Sequence, residues 1–75
     1  MISIKIGRYR HFKGKEYEVI AIARHSETLE EMVVYKALYD SPEFGKDAVW
    51  VRPSKMFLEH VEKGGYSGPR FTFIE

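Results

Sequence analysis

The sequence predicts a small all-β domain: a curled barrel of five or six antiparallel strands with one short helical turn. Two observations carry this. The segments Glu16–Arg24 (EYEVIAIAR) and Glu31–Tyr39 (EMVVYKALY) are rich in β-branched and aromatic residues, and the polar stretch His25–Glu30 between them suits a hairpin connector. Further short strands separated by turn and loop signals at Lys13–Lys15, Asp40–Asp47 and Gly64–Pro69, with no convincing long helix, are the second.

The elements follow in order. Ile2, Ile4 and Ile6 alternate with polar residues as a half-buried strand that stops at Gly7. Arg8–Phe12 continues as a short strand with Tyr9 opposite in direction to Arg8 and Arg10, and Lys13-Gly14-Lys15 is a tight turn. Glu16–Arg24 is the long strand, with Tyr17, Val19, Ala21 and Ala23 on one face. Thr28 and Glu31 fit a helix capping box, so a helix over Leu29–Tyr39 is a rival reading. The adjacent Val33 and Val34, two tyrosines and the lack of a polar face favour a strand instead. Asp40–Asp47 is a loop, Ala48–Arg52 a strand stopped by Pro53, and Pro53–Met56 one helical turn. Phe57, Glu59 and Val61 then alternate as a strand. Gly64, Gly65, Gly68 and Pro69 form a turn, and Arg70–Ile74 closes the chain with Phe71 and Phe73 on one side. Val19, Ala21, Val33, Tyr35, Val51, Phe57 and Phe71 are the expected core.

Seventy-five residues make a single domain spanning 1–75. With no cysteine, neither a disulfide nor a thiolate ligand is available, so the core must be dense; eleven aromatic residues make that feasible. Twelve basic against eleven acidic side chains give a net charge of +1, which lacks the global basic excess of nucleic-acid binders. No apolar run approaches a membrane span and the first ten residues lack a signal-peptide core, so cytoplasmic residence is expected.

The order of short motifs is specific. Gly7–Gly14 (GRYRHFKG), Tyr17-Glu18-Val19, Ala23–Glu30 (ARHSETLE), Val33-Val34-Tyr35 and Leu38-Tyr39 resemble the uncharacterised bacterial family DUF1653. Trp50–Pro53 (WVRP), Met56-Phe57 and Pro69-Arg70-Phe71 are similar to the rest of its pattern. The resemblance covers nearly the whole chain and implies an SH3-like barrel. It implies no activity and transfers no catalytic residue. It adds weight to the polar motif residues His11, His25, Ser26, Glu27 and Arg52.

His25, Ser26 and Glu27 are the residue types of a hydrolytic triad, but adjacent residues rarely converge, and a hairpin loop in which Ser26 or Thr28 hydrogen-bonds nearby backbone is the favoured reading. His11, His25 and His60 match no compact metal-ligand spacing, and no metal or cofactor is expected. Arg8, Arg10, Lys13 and Lys15 interleave with Tyr9 and Phe12, a pattern that suits single-stranded nucleic acid but also a solvated strand edge over core aromatics. Tyr35, Tyr39, Trp50, Arg52 and Phe57 divide between the interior and a groove, with Trp50 and Arg52 on one face of their strand.

The expected function is a non-catalytic module that binds a protein or peptide through His11, His25, Ser26, Glu27, Trp50 and Arg52. In that reading His25, Glu27 and Arg52 share hydrogen bonds at one end of the barrel. A nucleic-acid module using the basic N-terminal hairpin is the alternative. An enzyme acting on a small polar substrate through His25 and Glu27 is the weaker third.

Overall fold

The computed structural model describes residues 4–75. Strands dominate: β1 (Gly7–His11), β2 (Glu16–Arg24), β3 (Glu31–Ala37), β4 (Asp40–Ser41), β5 (Gly45–Lys46), β6 (Val49–Pro53), β7 (His60–Lys63), β8 (Tyr66–Pro69) and β9 (Phe71–Phe73). One helical turn, α1 (Ser54–Phe57), follows β6. Five strands form an antiparallel sheet in the order β6-β3-β2-β1-β9, and β4–β5 and β7–β8 are separate hairpins. Among the described residues no closed barrel is found. The large sheet is open, with β6 and β9 as its edges.

The two segments richest in β-branched residues pair as expected, from Tyr17 opposite Ala37 to Arg24 opposite Glu31. The helix over Leu29–Tyr39 does not form; Leu29 instead has φ of 65°, which turns the chain into β3. Its amide donates to the His25 carbonyl at 2.8 Å, closing the connector.

Several boundaries differ from the sequence reading. Of the expected Ile2–Ile6 strand, Ile2 lies outside the described residues, and Ile4–Ile6 is not in a strand. Gly7 begins β1 rather than ending a strand. A Cβ there would meet the Glu75 carbonyl oxygen at 2.6 Å, so glycine admits the chain's C-terminus against β1. Arg8 N–H donates to Glu75 O and Ile74 N–H to Arg8 O, both at 2.8 Å. Gly68 and Pro69 belong to β8, while Gly64 and Gly65, with φ of 56° and 85°, form the two-residue turn between β7 and β8. Phe57 ends α1 instead of starting a strand.

The core is a cluster of rings on one sheet face. Tyr9, Val19, Val33, Tyr35, Phe57 and Phe71 are buried together, with Ile4 and Tyr17 packed against them. Phe57 stacks on Phe71 with centroids 4.2 Å apart and planes 4° from parallel. Tyr9 and Tyr35 meet Phe57 edge-on at 5.3 and 5.6 Å. Ser54 is also buried, and its hydroxyl donates to a Glu31 carboxylate oxygen at 2.9 Å, which ties α1 to the start of β3.

Two expected core residues are exposed. The β2–β3 register shifts between Val19 and Ala21, so Val19 opposes Tyr35 but Ala21 opposes Val34. This bulge reverses the face of everything after it, and Ala21 points outward. Val51 opposes Val34 and lies on the same outer face, 59% exposed.

Phe57→Ala removes the ring that covers the sheet, and its cost is about 3 kcal/mol, which lowers Tm by roughly 12–24 °C in a domain of this size. A thermal melt followed by circular dichroism checks this; a shift of only a few degrees contradicts it.

Burial is also the main cause of raised hydroxyl pKa values at Tyr9, Tyr17 and Tyr35. The unfolded chain releases these protons near 10.0 and the folded chain later. The stabilisation they provide is therefore complete below about pH 10 and falls as pH rises through the folded values. Denaturant melts from neutral to strongly alkaline pH should show stability falling as tyrosinate absorbance rises. Titration of all five tyrosines near pH 10 without loss of stability contradicts this.

Candidate functional site

Strand register determines which side chains share the core face. Opposed residues of an antiparallel pair point the same way. Val33 opposes Arg52, Tyr35 opposes Trp50, Tyr9 opposes Tyr17, and Phe71 opposes His11. Trp50 and Arg52 therefore lie on the face that carries the core. α1 covers only part of it. The uncovered part is a cleft of about 290 Å³ lined by Tyr17, Tyr35, Tyr39, Trp50 and Arg52.

The walls are mutually braced. Tyr17 meets Tyr35, Tyr39 and Phe71 edge-on at 5.4, 5.5 and 5.6 Å. The hydroxyls of Tyr17 and Tyr39 are hydrogen-bonded at 2.7 Å. Trp50, 37% exposed, is held on its outer side by Phe44 of the β4–β5 hairpin at 5.0 Å. The guanidinium of Arg52 lies 5.7 Å from the centre of the Phe71 ring, so it stacks there and not on Trp50.

Charge in the cleft is positive. Burial holds the Tyr17 hydroxyl well above its usual range, helped by its bond to Tyr39. Burial raises Tyr35 as well, with Arg52 the strongest opposing influence. His11 is lowered, first by burial and then by Arg70, Arg52 and Lys13, so it is neutral near pH 7. The Lys15 ammonium stands 4.7 Å from the centre of the Tyr39 ring.

The other residues singled out in the sequence lie elsewhere. His25 sits in the β2–β3 connector, where its Nδ1 accepts from the amides of Glu27 and Thr28 at 3.2 and 3.3 Å. That geometry organises a turn, and among the described residues no side-chain hydrogen bond joins Ser26 to His25. Ser26 and Glu27 are exposed, and among the described residues no side-chain hydrogen bond or ion pair joins Arg52 to His25 or Glu27. The shared hydrogen bonds expected of these three residues are absent because Arg52 turns onto the ring face. His11 Nδ1 accepts from the Lys13 amide at 3.1 Å, and its ring packs on Phe71 at 5.0 Å. Among the described residues no three His, Cys, Asp or Glu side chains gather as a metal site.

The basic N-terminal hairpin acquires acids from distant sequence. Arg8 pairs with Glu75 and with Glu16, and Arg10 pairs with Glu16 at 3.0 Å. Tyr9 is core, and Phe12 stacks on Tyr66 at 5.5 Å. A second cavity of about 480 Å³ lies beside this stack, bounded by Arg10, Phe12, Tyr66, Thr72 and Ile74 among others. Its one guanidinium, Arg10, is already paired.

Tyr17 was not among the groove candidates in the sequence. The signal was its place on the Val19 face, two residues from a buried position. Tyr35 and Tyr39 were candidates, and both line the cleft.

Comparison with known proteins agrees with the motif order. The model of a family described as "Protein of unknown function (DUF1653)" matches residues 7–73. A crystal structure of a DUF1653 protein from Bordetella bronchiseptica is 34% identical and superposes with a TM-score of 0.84, over 95% of this chain and 87% of that one. No curated protein matches. No helix among the described residues is long and apolar enough to cross a membrane. A match of this extent and specificity places the chain in the DUF1653 family.

Proposed function

We propose that the chain is a non-catalytic binding module that takes an extended protein or peptide segment along β6, with side chains entering the cleft. The observation that supports this most is a concave set of braced aromatic walls left uncovered beside an open sheet edge. Rigid aromatics provide contact area with little entropy to lose. β6 carries no partner on its outer side among the described residues, and Val49 and Val51 are each 59% exposed. An added strand gains backbone hydrogen bonds there, and every second side chain falls on the Trp50–Arg52 face. An SH3-like curl of the sheet and cytoplasmic residence in a bacterium belong to the same reading. The cysteine-free sequence and the Bordetella relative are consistent with it.

Selection of a random peptide library on the immobilised protein tests the reading. Selected peptides should lose at least about tenfold in affinity for Trp50→Ala, since a central aromatic carries much of such an interface. The variant should melt within a few degrees of wild type, because Trp50 is part-exposed. Equal binding by the variant, or no selected peptide, contradicts the reading.

A further inference from the structure

Arg52 differs from the other arginines of the chain. Arg8 and Arg10 pair with carboxylates, Arg70 pairs with Glu59 at 2.7 Å, and Arg24 donates to the Leu29 carbonyl at 2.7 Å. Arg52 has the neutral Tyr35 hydroxyl beside it but no carboxylate or carbonyl partner among the described residues, although it is half-buried. A guanidinium drawn from water in that way is unfavourable until an anion meets it. None of the cleft-lining side chains is acidic.

A second donor points into the same space. In the Tyr17–Tyr39 contact one hydroxyl donates to the other, so the accepting hydroxyl keeps a proton of its own to donate. Lys15 and Arg70 add positive potential at the rim. Building on the peptide reading above, we infer that the group seated against Arg52 is a carboxylate of the bound segment. The guanidinium fork gives two parallel N–H bonds to its planar oxygens, and the tyrosine hydroxyl can reach the remaining lone pairs. The chemistry favours a carboxylate over a phosphate. Only one guanidinium in the cleft lacks a carboxylate, Arg70 is committed to Glu59, and α1, four residues long, has no run of amides to offer a dianion.

The test uses the ¹⁵N-labelled full chain and four probes. These are the blocked tripeptide acetyl-Val-Glu-Val-amide, its Gln counterpart, acetyl-Val-Val with a free C-terminus, and inorganic phosphate. The Glu peptide should move the Arg52 Nε–H and Trp50 indole resonances and bind at least about tenfold more tightly than the Gln peptide, as charge-assisted bonds require. Added salt should weaken it. Arg52→Gln should remove the difference between the two peptides while leaving resonances far from the cleft in place. Arg52→Lys, which keeps the charge but not the fork, should retain only part of it. The dipeptide shows whether a terminal carboxylate serves as well as a side chain; binding of either type supports the inference. Equal cleft shifts from the Glu and Gln peptides overturn the inference and leave the peptide reading standing. Tighter binding of phosphate than of the Glu peptide overturns it in favour of a phosphorylated ligand. Shifts confined to the Phe12–Tyr66 cavity, or absent with every probe, overturn it too, and the library selection then judges the peptide reading independently.

Discussion

The stack of Phe57 on Phe71 is the contact on which the rest of the structure depends. A five-stranded antiparallel sheet needs a cover for one face, and this chain has no disulfide to substitute for one. A single helical turn provides the cover. Pro53 ends the β6 pairing opposite Met32, Ser54 bonds to Glu31, and Phe57 is delivered parallel to Phe71 at 4.2 Å. Tyr9 and Tyr35 then close around it edge-on. Because the cover is one turn long, the face is divided. One part becomes core, and the remainder becomes the cleft.

Core and cleft share rings. Tyr35 touches Phe57 and Phe71 on one side and Tyr17 on the other, and Tyr17 carries the contact to Tyr39. Such coupling braces the cleft walls, which lowers the ordering cost of the binding proposed above. It also explains why a cation is tolerated at the boundary. The ring of Phe71 accepts the face of Arg52, and no acidic side chain lines the cleft to neutralise it.

The hairpin of β2 and β3 was legible because composition and connector length agree across both segments, and α1 because Pro53 breaks a strand at a point where the chain must turn. The inward faces were harder. Counting by twos from Tyr17 puts Ala21 inside, and only the bulge between Val19 and Ala21, which follows from pairing with β3, moves it out. On β6 the ordinary expectation that Val51 is buried and Arg52 is solvated is inverted, since the inner face at that point borders a cleft. The pairing of Arg8 with Glu75 was illegible for a different reason: it spans the length of the chain and depends on β9 lying beside β1. His25, Ser26 and Glu27 stood out as chemical types, yet two backbone amides of their own turn engage the imidazole Nδ1.

The account rests on Arg52 being kept for a ligand and not for the fold. Equilibrium urea unfolding of Arg52→Met measures this directly. The substitution removes a half-buried charge without a carboxylate partner and retains most of the apolar stem. The lost contact with Phe71 is worth about 0.5–1 kcal/mol, and relief of desolvation offsets it. The account therefore predicts a midpoint equal to or above that of wild type, with an unchanged slope. A loss of about 2 kcal/mol or more would make Arg52 a structural residue and contradict it.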